Sequence, residues 1–307
     1  VEKTFVIHQN APLEFQGYLF NRDDQILNQG SEDKTWFYLM EDSRILGRFV
    51  LHIHDQKGFS PYRAPFGSFE FQGNIRFDSL DLFIKYIIQF SRERKLDSVD
   101  ITSYPFCYDK ENSSLIATAL ISNGFFVKTW DLNFHINFST DFITGLHESE
   151  RRRLNKSEKE GYHFEILAAN LLPEMHRIIA SCRQRKGFPL SMGKDEFMKL
   201  FSDFPDDYIP FGLKDKGKLI AVSVGVKVNK EILYDFLPAD MEEYKSFSPI
   251  VLLKKKIFDY CKDKGYKIFD LGIATASGIP NYGLIRFKEN LGGIPSLKLS
   301  YELTLNK

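Results

Sequence analysis

A chain of 307 residues has room for one large domain or two ordinary ones, each with its own core. Apolar residues make up 43% and charged residues 27%, as in a soluble globular protein, and no apolar run approaches the ~20 residues of a membrane-spanning helix. Net charge is zero, yet residues 1–150 hold 14 basic and 21 acidic side chains against 27 and 20 in the remainder, so the second half either favours an anionic ligand or docks against the acidic first half.

No signal peptide stands at the start, and a first residue of Val points to a missing native N-terminus. Cys107, Cys182 and Cys261 are odd in number and widely spread, which fits a reduced cytoplasmic protein and no disulfide framework or zinc site. With 29 Phe and 14 Tyr, thick cores and an aromatic-walled groove are expected.

In chain order, "RILGRFVLHIHDQKGFSPYRAPFGSF" reads as a strand hairpin with a Pro/Gly-rich turn. His52 and His54 share one strand face, but no further residue has a ligand's spacing, so no metal site is expected. A helix follows, with Leu82, Phe83, Tyr86, Ile87 and Phe90 as its apolar stripe, then a strand carrying Asp100. "LIATALISNGFFVKTWDLNFHINF" predicts a short helix, a glycine break and a closing strand. "ESERRRLNKSEKEGYHFEI" is a charged helix stopped at Gly161 and followed by a strand. Glu150, Glu158 and Glu160 interrupt its basic run, so it reads as a solvated face and not an RNA surface. "MHRIIASCRQRKGF" is a helix ending at Gly187.

The same order then recurs. "KLIAVSVGVKVNKEILYDFLPADMEEY" is a hairpin. "SPIVLLKKKIFDYCKDKGYKIFDLGIA" is a helix burying Leu252, Leu253, Ile257, Phe258 and Cys261, with Lys254, Lys255 and Lys256 outward, then a strand carrying Asp270. "GLIRFKENLGGIPSLKLSYELTL" gives a short helix, a glycine break and a strand. Landmarks pair at a nearly constant offset: Ile45 with Leu219, Asp100 with Asp270, Gly124 with Gly292. Two copies of one mixed α/β (α+β) fold are therefore expected, over 1–144 and 145–307, each a mostly antiparallel sheet flanked by helices. Strict βαβαβ alternation and phosphate-binding GxGxxG or GxxxxGK(S/T) loops are absent from the sequence, which argues against a dinucleotide-binding or P-loop protein.

These motifs, in this order, resemble the GNAT acyltransferase superfamily, and in duplicated form the Fem-type aminoacyltransferases of peptidoglycan synthesis. The resemblance rests on "SFSPIVLLKKKIFDYCKDKGYKIFDLGI", "GLIRFKENLGG", "CRQRKGF" (with Cys182 where the family has Thr) and "SPYRAPFGSF". It implies transfer of an activated acyl group to a primary amine without a tightly bound cofactor. The acyl donor would be aminoacyl-tRNA or acyl-CoA. The acceptor would be an amine-bearing small molecule or a muropeptide, lying in a groove between the two domains; no DNA partner is implied.

Residue by residue, the resemblance places Lys288 and Phe287 against the donor. There the Lys288 ammonium stabilises charge on the carbonyl or leaving oxygen, and Arg286 holds a phosphate. "KSFSPI" falls on the coenzyme A pyrophosphate loop, giving Lys245, Ser246 and Ser248 as donor-anchoring residues. Ser248 before Pro249 reads as an N-cap, while Ile250 blocks the close approach that a glycine allows. Tyr234 is the candidate to orient the amine or act as acid/base. Arg185, Tyr62 and Arg63 are the expected acceptor contacts. Asp270 and its counterpart Asp100 read as structural, capping a following turn. The absence of a nucleophile–base pair fits a transfer without a covalent enzyme intermediate, and a non-catalytic binding protein on the duplicated fold stays open because few catalytic groups are unambiguous.

Overall fold

The computed structural model describes residues 5–9, 12–139 and 141–305. One compact unit takes in the chain up to Asn133 with Thr275–Pro280 and the segment from Ser296 onward; the other comprises Phe134–Ala274 and Asn281–Pro295. The chain thus passes between units several times, where the sequence suggested a single junction at 144/145.

The first unit holds β1 (Phe5–Gln9), α1 (Asp23–Asn28), β2 (Asp33–Glu41), β3 (Arg44–His54), β4 (Lys57–Ser60), β5 (Glu70–Phe71), α2 (Phe77–Glu93), β6 (Ser98–Thr102), α3 (Lys110–Ser122) and the start of β7 (Phe126–Asn137). The second holds α4 (Phe142–Gly145), α5 (Glu148–Lys159), β8 (His163–Ile166), α6 (Leu172–Arg185), α7 (Lys194–Asp203), β9 (Tyr208–Asp215), β10 (Lys218–Lys227), β11 (Ile232–Asp240), α8 (Pro249–Lys264) and β12 (Ile268–Ile273). The small hairpin β13 (Thr275–Ala276) and β14 (Ile279–Pro280) counts with the first unit, α9 (Tyr282–Asn290) with the second, and most of β15 (Ile294–Thr304) with the first.

Strands run β1-β2-β3-β4-β6-β15 in the first unit and β12-β11-β10-β9-β8 in the second. Each is mostly antiparallel with one parallel joint: β4 beside β6, and β11 beside β12. A parallel joint needs a crossover, and α2 and α8 supply it. Both helices bury one stripe, and each departs in part from the sequence reading. In α2 the buried side chains include Leu80, Phe83, Ile84, Ile87 and Ile88, while Leu82 is exposed. In α8 the expected apolar residues are buried, and so is Lys254, which the sequence reading turned outward. The correction has a simple cause: Lys254, Ile257, Phe258 and Cys261 fall at i, i+3, i+4 and i+7, one helical face.

The recurring glycine breaks are one local device. After α3, Gly124 adopts φ 90° and the Phe125 amide donates to Leu120 O at 3.1 Å. After α9, Gly292 adopts φ 79° and the Gly293 amide donates to Lys288 O at 2.9 Å. Both are left-handed helix ends that satisfy orphan carbonyls, a conformation glycine adopts without a Cβ clash.

Candidate active site

In the second unit β11 and β12 pair only from Ile232↔Ile268 to Tyr234↔Asp270, although β11 continues to Asp240. Beyond Tyr234 that edge of β11 has left the ladder, so the strand pair opens at its C-terminal end. A bulge helps re-aim the strand. Between the pairs Val224↔Phe236 and Val222↔Ala239, Leu237 and Pro238 stand opposite Ser223 alone, with Leu237 buried at φ 53°.

A buried polar chain supports this bulge. Ser223 Oγ donates to Asp235 Oδ1 at 2.6 Å and to Phe236 O at 3.3 Å, and Lys254 of α8 donates to Asp235 Oδ2. Asp235 and Lys254 are each 3% exposed or less, so the ammonium has exchanged water for one carboxylate. Burial lowers the Lys254 pKa and Asp235 opposes that shift. The sequence reading missed this chain, although the i, i+3, i+4, i+7 placement of Lys254 was a usable signal.

Two predicted residues meet at Gly272, just past the last β11–β12 pair. The Tyr234 ring packs over it: a Cβ at Gly272 would lie 3.1 Å from Tyr234 Cε2 and 3.6 Å from its hydroxyl, at a backbone φ of 76°. Lys288, from α9, donates from Nζ to Gly272 O and Ile273 O, both at 2.8 Å. An ammonium has three N–H donors, so these bonds leave one free. Lys288 is buried, and burial pulls its pKa down to about 8; Asp270 and Asp235 oppose the shift, and Lys254 reinforces it. The Tyr234 phenol is pushed up, first by burial and then by Asp270 and Asp235, so it stays protonated at neutral pH. Asp270 itself accepts from the Gly272 amide at 2.8 Å, the turn-capping role expected of it. Its counterpart Asp100 departs from that expectation: it pairs with Lys128.

The internal repeat gives this constellation a control. Phe59 pairs with Asp100 as Tyr234 pairs with Asp270. Leu120 accepts the helix-ending bond of α3 as Lys288 accepts that of α9. Unit 1 therefore carries Phe59 and the buried Leu120 where unit 2 carries Tyr234 and Lys288.

The remaining predicted residues separate into groups. Lys245 and Ser246 are exposed on a 3-10 turn, Glu242–Phe247, between β11 and α8. Pro249 does open α8, but Ser248 makes no side-chain cap; it stands in the left-handed region at φ 55° with its amide on Lys245 O. Lys156 of α5 reaches this turn, donating to Ser246 O at 2.9 Å. On α9, Arg286 is exposed and Phe287 half-buried. Arg185 is taken up beside the turn by Asp240 and Glu242, an arrangement the acceptor-anchor expectation did not foresee.

Tyr62 and Arg63 belong to the first unit, their amides held by Gln29 Oε1 at 2.9 and 3.2 Å. The Tyr62 ring packs beside His52, His54 and Phe59, so much of its aromatic surface serves the fold. His52 Nδ1 lies 2.5 Å from Ser31 Oγ, and burial, with Lys34 nearby, lowers the ring's pKa to about 4. Among the described residues no group of three His, Cys, Asp or Glu side chains is placed to hold a metal. No described helix is long and apolar enough to cross a membrane.

Residues 147–288 match the family model described as "Acetyltransferase (GNAT) domain". No curated protein sequence matches the chain. Among solved structures, FemX superposes with a TM-score of 0.71 at 12% identity, covering 94% of this chain and 92% of its own. The L-PGS structure from Bacillus licheniformis gives 0.57 at 17% identity, covering 88% and 83%. A tandem GNAT protein of the clavulanic acid biosynthesis pathway gives 0.53 at 9%, covering 90% and 84%. At these identities the likeness is one of fold: a mixed α/β GNAT fold with mostly antiparallel sheets. The family-model match covers residues 147–288, a little under half of the chain.

Proposed function

We propose that the protein joins an activated acyl or aminoacyl group to a primary amine, in the manner of Fem-type enzymes acting on a cell-wall precursor; the match of residues 147–288 to the GNAT acetyltransferase model supports this reading. The observation that carries this reading is the meeting of Tyr234 and Lys288 at Gly272, beside the opened β11–β12 pair. The acyl donor lies along the freed edge of β11. The neutral amine attacks the acyl carbon, a C–N bond forms, and the bond to the leaving oxygen or sulfur breaks. Lys288, with one N–H unspent, stabilises the developing oxyanion. Tyr234, held protonated, gives its proton to the leaving group, and the proton released by the amine restores the phenol. No covalent enzyme intermediate is needed; positioning and oxyanion stabilisation carry the step.

The likeness to FemX supports an aminoacyl donor, and Ile250, closing "KSFSPI", speaks against a pyrophosphate held by the backbone amides of that turn. One observation favours acyl-CoA as a second reading: Ser248 keeps the left-handed backbone that a glycine would take in a phosphate-cradling loop. Calorimetric titration with acetyl-CoA, a UDP-linked muropeptide and charged tRNA, each followed by a turnover assay, separates the readings. Turnover with charged tRNA and the muropeptide supports the first. Binding and turnover with acetyl-CoA alone sinks it. Binding without turnover, indifferent to Lys288→Ala, makes the protein a non-catalytic binder.

A further inference from the structure

The turn after β11 holds an anion of its own between two cations. Glu242 Oε2 lies 2.7 Å from Arg185 Nε, and Glu242 Oε1 lies 3.7 Å from Lys245 Nζ. Arg185 is set in place by Asp240, donating from Nη2 to its backbone O at 3.1 Å. The neighbouring Glu243 is drawn off by Lys218 at 2.6 Å, so Glu242 is the carboxylate of the two that faces Arg185 and Lys245. A shallow concavity beside this cluster is lined further by Arg177 and Ser181 of α6. A guanidinium and an ammonium converging on two carboxylate oxygens present the same donors that bind two oxygens of a phosphate.

We propose that Arg185 and Lys245 form an anion site that Glu242 occupies as a built-in stand-in, and that a phosphate-bearing ligand enters only by displacing it. The inference rests on the donor side assigned to unit 2 above. Its consequence is selection. Arg185, Lys245 and Glu242 are all partly solvent-exposed, so the resident pair is weak and yields to a multiply charged group but not to a single carboxylate. Displaced, Glu242 remains near the site and lowers affinity by repulsion, favouring release.

The test is calorimetric titration of inorganic pyrophosphate into the full chain at low ionic strength. It compares the unaltered protein, Glu242→Gln, and Glu242→Gln combined with Arg185→Gln. The single variant should bind about fivefold or more tightly, the scale of one screened charge contact, and the double variant should lose that gain. Unchanged affinity in Glu242→Gln, or a gain that survives the loss of Arg185, overturns the inference. Acyl transfer assayed in parallel keeps the two readings apart. An active protein with unchanged pyrophosphate affinity loses only the resident anion. An inactive one that gains affinity loses the proposed reaction and keeps the anion site.

Discussion

Lys288 is a core position given a charge. Its ammonium stands under two strand-end carbonyls, and burial brings its pKa down from an ordinary 10.5 to about 8. The sign for stability follows from proton counting. Between about pH 8 and 10.5 the unfolded chain binds the proton and the folded one does not, so stability rises with pH there; the cost of burying the charge is fully present below about 8. Catalysis runs the other way, because the proposed oxyanion contact needs the ammonium. The expected kcat profile therefore falls as pH passes about 8. Lys288→Met should lower kcat by about 10²–10³-fold, the scale of one lost oxyanion donor, and abolish that alkaline limb. A variant that keeps full kcat removes Lys288 from the chemistry. Tyr234→Phe keeps the ring over Gly272 and deletes only the hydroxyl, so kcat should fall by about 10²–10⁴-fold with KM little changed. A KM effect alone would mean that the hydroxyl only binds.

Among the elements, α8 ties the crossover to the bulged strand through Lys254 and Asp235. A buried pair broken on one side leaves a lone charge in the core, at a cost of about 3–5 kcal/mol, whereas replacing both partners with apolar groups is often neutral. Lys254→Met should therefore lower the thermal midpoint by roughly 10 °C, at about 2–4 °C per kcal/mol for a unit of this size. Adding Asp235→Leu should recover most of the loss. If the double variant is no better than the single one, the pair is not an isolated charge couple. This scale also shows what was legible beforehand. Helix ends at Gly124, Gly161, Gly187 and Gly292 could be read because a left-handed residue after a helix favours glycine. The bulge at Leu237 could not, since nothing in "LYDFLPAD" signals a buried leucine at positive φ. Nor could the Ser248 conformation, because Ser-Pro reads equally well as an N-cap, and the side-chain bond that decides between them is a matter of backbone geometry.

Across the whole molecule, the repeat was legible in order and spacing, and the proposed chemistry lies where its copies diverge. The carbonyl at the end of the inner parallel strand needs a partner in both copies, since a buried unpaired one is costly. In unit 1 the chain supplies that partner itself: the loop after β4 returns so that the Gly67 amide donates to Thr102 O at 2.9 Å. Space there is closed, as a Cβ at Gly67 would lie 2.6 Å from Pro61 N. In unit 2 the equivalent carbonyl, Gly272 O, is met by the Lys288 ammonium instead. Backbone therefore fills the position in one copy, and a side chain with a spare donor occupies it in the other. Phe59 and Leu120 stand in unit 1 where Tyr234 and Lys288 stand in unit 2, so the proposed donor site belongs to unit 2. Whichever donor supports turnover should accordingly titrate to one site per chain in calorimetry. Leu120→Lys should create no second site and should lower stability by burying an unpaired charge. Two equivalent sites per chain would mean that the loop over Thr102 opens, and that the two copies are less divergent in function than in sequence.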